Sequence, residues 1–133
     1  MDMFENIVGH QKQKEILSRS LDSGNISHAY LFFGDSGIGK YKIACEFAKQ
    51  ILKTESLDNY PDFKVISKKA DKKDILVEQI RKELIDEVYI VPAAGDRKVY
   101  IINNAEALTV AAQNTLLKTL EEPPKYITII LVS

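Results

Sequence analysis

The stretch AYLFFGDSGIGKYKIACEFAKQIL, residues 29–52, contains the pattern that decides the fold. It begins with a short continuous apolar run, typical of a buried parallel β-strand, which a glycine closes. After the glycine-rich turn, apolar residues return at the spacing of an amphipathic helix. These helical positions are Ile43, Ala44, Phe47, Ala48, Ile51 and Leu52. The stretch therefore predicts a strand, a tight loop and a helix in succession.

The loop between that strand and that helix has the spacing of a phosphate-binding loop. Gly34, Gly39 and Lys40 match the motif G-x-x-x-x-G-K, in which backbone N–H groups face phosphate oxygens and the lysine neutralises their charge. The motif continues with Ser or Thr, whose hydroxyl binds Mg²⁺, but here the residue is Tyr41. Its hydroxyl lies farther from the backbone, and Mg²⁺ requires tight octahedral contacts of about 2.0–2.1 Å. The candidate phosphate-binding residues are Gly34, Ser36, Gly37, Ile38, Gly39, Lys40 and Tyr41. The alternative is a glycine turn that serves only strand–helix packing.

A second feature of NTPases, an acidic residue at the end of a buried strand, is replaced in this sequence. The stretch KVYIINNAEAL has the buried strand, but Asn103 and Asn104 occupy the positions of the carboxylates. Asparagine keeps the shape of aspartate without its charge, so it is no base and binds Mg²⁺ only weakly. Glu106 is interpreted as a solvent-exposed or capping residue. We therefore predict a degenerate site without catalytic residues.

The rest of the chain alternates strand and helix patterns. Three more strands are predicted from DFKVIS, KVYII and YITIILV. One helix is predicted to follow Asp74 as its cap, and another to follow Thr109 and stop before two prolines. The apolar positions of the first are Val77, Ile80, Leu84 and Val88. A further helix is predicted from HQKQKEILSRSLDSG, residues 10–24. This alternation predicts an α/β fold with a parallel sheet covered on both faces.

Composition and charge exclude several classes of protein. The 133 residues suffice for one compact domain, and 18 basic against 19 acidic residues give a net charge of −1. This balance argues against a domain that holds DNA through a basic surface of its own. The single cysteine, Cys45, allows neither an internal disulfide nor a multi-cysteine zinc site. Without a signal-peptide pattern or an apolar run of about 18 residues, a cytoplasmic protein with no membrane contact is expected.

The helix predicted between Thr109 and Glu122 breaks one local rule. Its apolar positions are Leu116, Leu117 and Leu120. They form one stripe that we expect to pack against the sheet. Glu121 and Glu122 stand at the carboxyl end, where the helix dipole disfavours negative charge by a few tenths to about 1 kcal/mol. Such violations often mark functional surfaces, although two solvated glutamates fit the sequence equally well. The candidate interaction residues are Gln113, Lys118, Glu121 and Glu122.

Four stretches of the sequence carry a family resemblance, and together, in order, they cover nearly the whole chain. They are FENIVGHQKQKEIL, SHAYLFFGDSGIGK, VEQIRKELIDEVYIVPAAGDRKVYIINNAEAL and QNTLLKTLEEPP. In these stretches the sequence resembles the bacterial DNA polymerase III clamp loader subunits, tau/gamma and delta prime. The segment LLKTLEEPP is the most specific, whereas the glycine loop alone is typical of AAA+ ATPases in general. The resemblance implies a three-layer P-loop NTPase (AAA+, RecA-like) domain over residues 1–133 that is truncated before its fifth strand, without lid and collar domains. It also implies that the first strand, residues 29–33, has one unpaired edge.

The altered motif residues favour one kind of family member over another. For the tau/gamma ATPase motor, the resemblance implies Ser or Thr in place of Tyr41 and Asp-Glu in place of Asn103 and Asn104. The delta prime type, which does not hydrolyse ATP, is therefore favoured, as a component of the DNA polymerase III holoenzyme. No cofactor is then required, and ATP, ADP or phosphate are the candidate ligands of the degenerate loop. The zinc module of many members is not expected, because Cys45 is the only cysteine.

The resemblance also implies a role and partners. A delta prime subunit is a rigid stator in a hetero-pentamer with tau/gamma and delta, which loads the sliding clamp on primed DNA in replication. Its arginine finger belongs to a Ser-Arg-Cys motif after the last strand, beyond Ser133, and the helix over residues 109–122 is expected to face the motor subunit. The alternatives are a tau/gamma-type motor, a stand-alone P-loop ATPase or kinase, and a module that senses ATP without hydrolysis.

Overall fold

A computed structural model describes residues 26–32 and 39–133 of the chain. The helix predicted in residues 10–24 and residues 33–38 of the predicted phosphate loop lie outside the described residues. The described strands are β1 (Ala29–Phe32), β2 (Phe63–Ile66), β3 (Lys98–Asn103) and β4 (Ile127–Val132). They are all parallel, in the order β1-β4-β3-β2. The predicted parallel sheet is therefore confirmed.

Strand β1 lies at one edge of this sheet. It pairs with β4 from Ala29, opposite Ile129, to Phe32, opposite Val132, and no strand of the described residues lies on its other side. The predicted free edge is confirmed for this part of the strand. The expectation of a buried strand is wrong: within residues 26–32 and 39–133, β4 is the one strand that pairs with β1. Only Phe32 is buried, and Leu31 is 55% exposed.

Helix α1 (Lys40–Leu52) covers one face of the sheet. All six of its predicted apolar positions are buried, and burial of each large side chain contributes about 1.5–3 kcal/mol. The sheet residues of this layer are Val99, Ile101, Ile130 and Val132. The ring of Phe47 meets that of Tyr30 edge-on, with ring centroids 4.8 Å apart. The amphipathic helix predicted after the glycine loop is confirmed.

Helix α2 has an irregular middle turn. It consists of an α-helical segment Val77–Ile80, a π-helical segment Arg81–Ile85 and a last α-helical turn Asp86–Val88. Of the four predicted apolar positions, Ile80, Leu84 and Val88 are buried, and Val77 is partly buried against the same core. Because the three buried positions recur every four residues, the wider π turn helps to keep them on one face.

The starts of α2 and of the next helix differ in how they are capped. Asp74 does not cap α2, so that prediction is wrong: the capping position is Leu76, which makes no side-chain cap bond. The reason is that Ile75 is held in an isolated β-bridge, which keeps the chain extended beyond Asp74. At the next helix, the hydroxyl of Thr109 accepts a hydrogen bond from the N–H of Ala112 at 3.2 Å, which confirms the predicted cap.

Helix α3 (Val110–Glu121) shares the second face of the sheet with α2. Leu116 is buried and Leu120 packs at the margin of the core, as predicted. The prediction for Leu117 is wrong, because the next residue in a helix is turned by about 100° from Leu116. Leu117 is 58% exposed.

The helices on the two faces complete a three-layer arrangement. The sheet residues of the second layer are Ile66, Tyr100, Ile102, Ile127 and Ile129. Asn103 ends β3 opposite Val132, close to the end of β4. The start of α1 and the ends of β3 and β4 thus lie at the same edge of the sheet, where ligands bind in open α/β sheets.

Candidate functional site

Helix α1 begins directly after Gly39, the last glycine of the predicted phosphate loop. Gly39 has φ 79°, a left-handed conformation that favours glycine. Its carbonyl accepts a hydrogen bond from the N–H of Ile43 at 3.0 Å, which closes the first helical turn. The predicted residues Gly34, Ser36, Gly37 and Ile38 lie outside the described residues. The described end of the loop is therefore a left-handed glycine directly before the start of α1.

Two sets of residues that are distant in the sequence meet at this helix start. Gly39, Lys40 and Tyr41 line a cavity of about 270 Å³ together with Asn103 and Asn104. They meet because α1 begins, and β3 ends, at the carboxyl edge of the parallel sheet. The structure thus brings the predicted phosphate-binding residues next to the predicted degenerate acidic position.

Lys40 is directed toward the end of β4. Its Nζ donates a hydrogen bond to the backbone carbonyl of Ser133, and Ser133 also lines the cavity. Sequence analysis did not identify Ser133 as a site residue. The available signal was its position, since Ser133 follows β4 as Asn104 follows β3, and the ends of neighbouring parallel strands lie together.

Tyr41 lies one helical turn before Cys45, and the two side chains line a common cavity. Burial, with a further contribution from Cys45, raises the pKa of Tyr41 to about 12. Burial also raises the pKa of the Cys45 thiol. At neutral pH, Tyr41 is therefore a neutral phenol.

Asn103 and Asn104 form a local backbone turn at the end of β3. The side-chain Oδ1 of Asn103 accepts a hydrogen bond from the N–H of Asn104 at 3.2 Å. Asn104 has φ 61° and ψ 48°, a left-handed conformation that asparagine adopts more readily than most other residues. Both residues therefore have a structural role in this turn.

Glu106 is the one carboxylate that lines the cavity among the described residues. It lies in the 3₁₀ turn Ala105–Ala107 and is exposed, as predicted. The cavity thus combines the ammonium group of Lys40 and a helix start with neutral amides, which suits an anion. It has no carboxylate at the end of β3, where an NTPase holds Mg²⁺ and orients water.

The candidate interaction residues lie on the exposed side and at the end of α3. They are Gln113, Lys118, Glu121 and Glu122, and all are exposed. The side-chain amide of Gln113 donates to the carbonyl of Leu108 at 3.1 Å. The helix ends at Glu121, and in the described part of the chain neither Glu121 nor Glu122 forms an ion pair. Their charges therefore stand uncompensated at the negative end of the helix dipole.

The sequence profile of a known family, described as "DNA polymerase III, delta subunit", matches residues 9–133. The chain belongs to this DNA polymerase III subunit family. Since the match covers nearly the whole chain, it includes the phosphate-loop region, β3 and α3. It agrees with the resemblance to clamp loader subunits expected from the sequence.

Members of this DNA polymerase III family under both subunit names resemble the chain. "DNA polymerase III subunit tau/gamma" of Haemophilus influenzae is 32% identical over 98% of this chain, which spans 21% of that relative. "DNA polymerase III subunit delta'" of Pseudomonas aeruginosa is 34% identical over 80% of this chain, which spans 37% of it. The chain therefore spans well under half the length of these relatives.

Solved structures support the fold. A gamma subunit-related protein of DNA polymerase III from Thermotoga maritima superposes with a TM-score of 0.72 at 26% identity, over 90% of this chain and 38% of that one. A DNA clamp loader delta protein from Bacillus subtilis shares the fold, with a TM-score of 0.60 at 16% identity over 90% of this chain and 34% of that one. The predicted α/β fold of the clamp loader family is confirmed.

Two further findings concern a membrane-spanning helix and a metal site. Over residues 26–32 and 39–133, no helix is long and apolar enough to cross a membrane. In the same ranges, no group of three or more His, Cys, Asp or Glu side chains is placed to hold a metal ion.

Proposed function

We propose that the chain is a non-hydrolysing clamp loader subunit of the delta prime type. The observation that supports it most is the pair Asn103 and Asn104 beside Lys40 in one cavity. ATP hydrolysis requires a group that positions or deprotonates water and a ligand for Mg²⁺, and an amide is a poor substitute for both. Lys40 can still attract a phosphate, so the site can bind an anion although it cannot hydrolyse ATP.

In this proposal, residues 1–133 form the N-terminal AAA+ domain of a stator. The protein assembles with tau/gamma and delta subunits in a hetero-pentamer that places the sliding clamp on primed DNA. It needs no cofactor of its own, and ATP, ADP or phosphate are the candidate ligands of the degenerate loop. The net charge of −1 fits a protein that meets DNA through an assembly rather than through a basic surface of its own.

The exposed side of α3 is the proposed contact with the motor subunit. Its support is the position of Glu121 and Glu122, which are exposed, have no ion-pair partner in the described part of the chain, and lie against the helix dipole. A neighbouring basic surface would compensate both charges. The residues proposed for this contact are Gln113, Lys118, Glu121 and Glu122.

A reconstituted clamp loader tests the proposal. Lys40→Ala is placed in this chain alone, and the DNA-stimulated ATPase rate of the whole assembly is measured. We expect the rate to stay within about twofold of the parent, since the chain contributes no turnover of its own. In the matched control, the lysine of the motor subunits' own phosphate loop is replaced, and the ATPase rate of the assembly should be almost completely lost. A large loss of rate from Lys40→Ala, in an assembly of unchanged stoichiometry, contradicts the proposal.

A tau/gamma-type motor is the second candidate. It is favoured by the 32% identity to a tau/gamma subunit and by the retained Lys40. It requires Mg-ATP turnover at a site whose described residues place amides where carboxylates are needed. A stand-alone ATPase or kinase faces the same difficulty.

A further inference from the structure

Phosphate-binding loops of this kind ordinarily bind a nucleotide together with Mg²⁺. Whether this cavity suits Mg²⁺ depends on the oxygen atoms of the residues that line it. Mg²⁺ prefers oxygen ligands at about 2.0–2.1 Å in near-octahedral geometry, usually with one or two carboxylates. The residue after Lys40, Tyr41, lines the cavity and supplies a phenol in place of a short hydroxyl. Because its hydroxyl lies farther from the backbone than that of serine or threonine, Tyr41 is poorly suited as a Mg²⁺ ligand at the start of the helix.

The opposite side of the cavity fits Mg²⁺ no better. The Oδ1 of Asn103 accepts the N–H of Asn104, so this amide oxygen already has one partner. Glu106, the one carboxylate lining the cavity among the described residues, is exposed on a separate turn. A doubly charged cation placed between Tyr41 and Asn103 would be repelled by the ammonium group of Lys40. The described residues thus do not fit the metal.

A phosphate group without a metal fits the same cavity. Its negative charge is matched by Lys40 and by the start of α1, a 13-residue helix whose first N–H groups lack helical partners. A phosphate that is already neutralised by Mg²⁺ carries less negative charge, so it gains less from Lys40. The ammonium group of Lys40 has three N–H donors, one of which binds the carbonyl of Ser133.

We propose that this cavity takes a phosphate group without a divalent cation, because Tyr41 and Asn103 stand where a short hydroxyl and a carboxylate would bind the metal. The ligand is a metal-free phosphate, supplied either as inorganic phosphate or as the end of a nucleoside diphosphate. This inference rests on the proposed non-hydrolysing function and specifies the ligand class of the same site.

Isothermal titration of the full chain with ADP and, separately, with inorganic phosphate tests the inference. Each ligand is titrated in EDTA and in excess Mg²⁺. Because Mg²⁺ captures free ADP, the apparent affinity for ADP should fall by about tenfold or more when Mg²⁺ is added. Inorganic phosphate, which holds Mg²⁺ far less well, should change by less than about twofold. ADP binding at least about tenfold tighter than phosphate assigns the nucleotide as the source, and equal affinities assign free phosphate.

Two variants assign the role of Tyr41. Tyr41→Thr combined with Asn103→Asp supplies a short hydroxyl and a carboxylate, so Mg²⁺ should now tighten ADP binding by about tenfold. Tyr41→Phe removes the hydroxyl and keeps the ring, and it should gain no such dependence. If Tyr41→Phe gains the same Mg²⁺ dependence as the double variant, the argument that the metal is excluded for lack of a short hydroxyl and a carboxylate is overturned.

The unaltered chain decides the inference even if a variant fails to fold. Tighter ADP binding in Mg²⁺ than in EDTA overturns it, and so does the absence of binding by both ligands. Mg²⁺-tightened binding without ATP turnover overturns this inference and leaves the non-hydrolysing function intact. ATP turnover overturns the proposed function itself.

Discussion

Reversal of the two charges at the end of α3, by Glu121→Lys with Glu122→Lys, should weaken assembly without weakening the fold. Each glutamate stands at the negative end of the helix dipole, an arrangement that costs about 0.3–1 kcal/mol at an exposed site. Reversal relieves this cost and breaks no ion pair in the described part of the chain. The new lysines stand one turn after Lys118, a like-charge contact that costs about 0.2–0.5 kcal/mol per pair. Relief at two positions against two like-charge pairs gives a net change between a destabilisation of about 0.4 kcal/mol and a stabilisation of about 1.6 kcal/mol.

The assay compares two properties of the same variant. Thermal unfolding should show a melting temperature between about 2 °C below and about 8 °C above that of the parent. Association with the motor subunit, measured by light scattering or by calorimetry, should weaken by about tenfold or more if both charges face a basic surface. The matched control is Asp71→Lys with Asp74→Lys, which makes the same change of net charge at exposed residues of a distant turn. If the α3 variant and the control both assemble like the parent, the two glutamates are a solvated helix end and the interface is refuted.

Two further predictions concern the fold. The buried carboxylate of Asp62 accepts two backbone N–H bonds at 2.7 Å each, so Asp62→Ala should lower the free energy of unfolding in urea by about 2–3 kcal/mol. The control Asp96→Ala, at an exposed residue, should change it by less than about 0.5 kcal/mol. Equal effects of the two substitutions would contradict this. Burial, with a contribution from Glu87, raises the pKa of Tyr100 above its ordinary value of about 10. The folded state then keeps a proton that the unfolded state loses, so stability falls as the pH rises past about 10. In Tyr100→Phe, the free energy of unfolding measured between about pH 9 and about pH 11 should fall less steeply with pH.

Local patterns predicted the elements whose environment is the same along their length. The buried positions of α1 follow from the 3.6-residue period, because the whole helix lies on one face of the sheet. β3 was predicted for the same reason, since helices cover both of its faces and all positions from Lys98 to Ile102 are buried. The cap at Thr109 depends only on residues within one turn.

The wrong predictions depend on neighbours that are remote in the sequence. The exposure of Leu31 follows from the sheet order, which places β1 at an edge. Asp74 fails as a cap because Ile75 pairs with a segment more than thirty residues later in the chain. For the site, the sequence indicated Lys40 and Asn103, but the contact between Lys40 and Ser133 required the parallel register of β3 and β4.

The central claim is that the chain hydrolyses no ATP, and release of phosphate from Mg-ATP by the purified full chain tests it most directly. The chain and its Lys40→Ala variant are measured side by side, so that any contaminating ATPase appears equally in both. We predict the same background in both, below about 0.1 turnover per minute, far under the median enzyme rate of about 10 per second. Turnover above that value which Lys40→Ala abolishes would contradict the non-hydrolysing function.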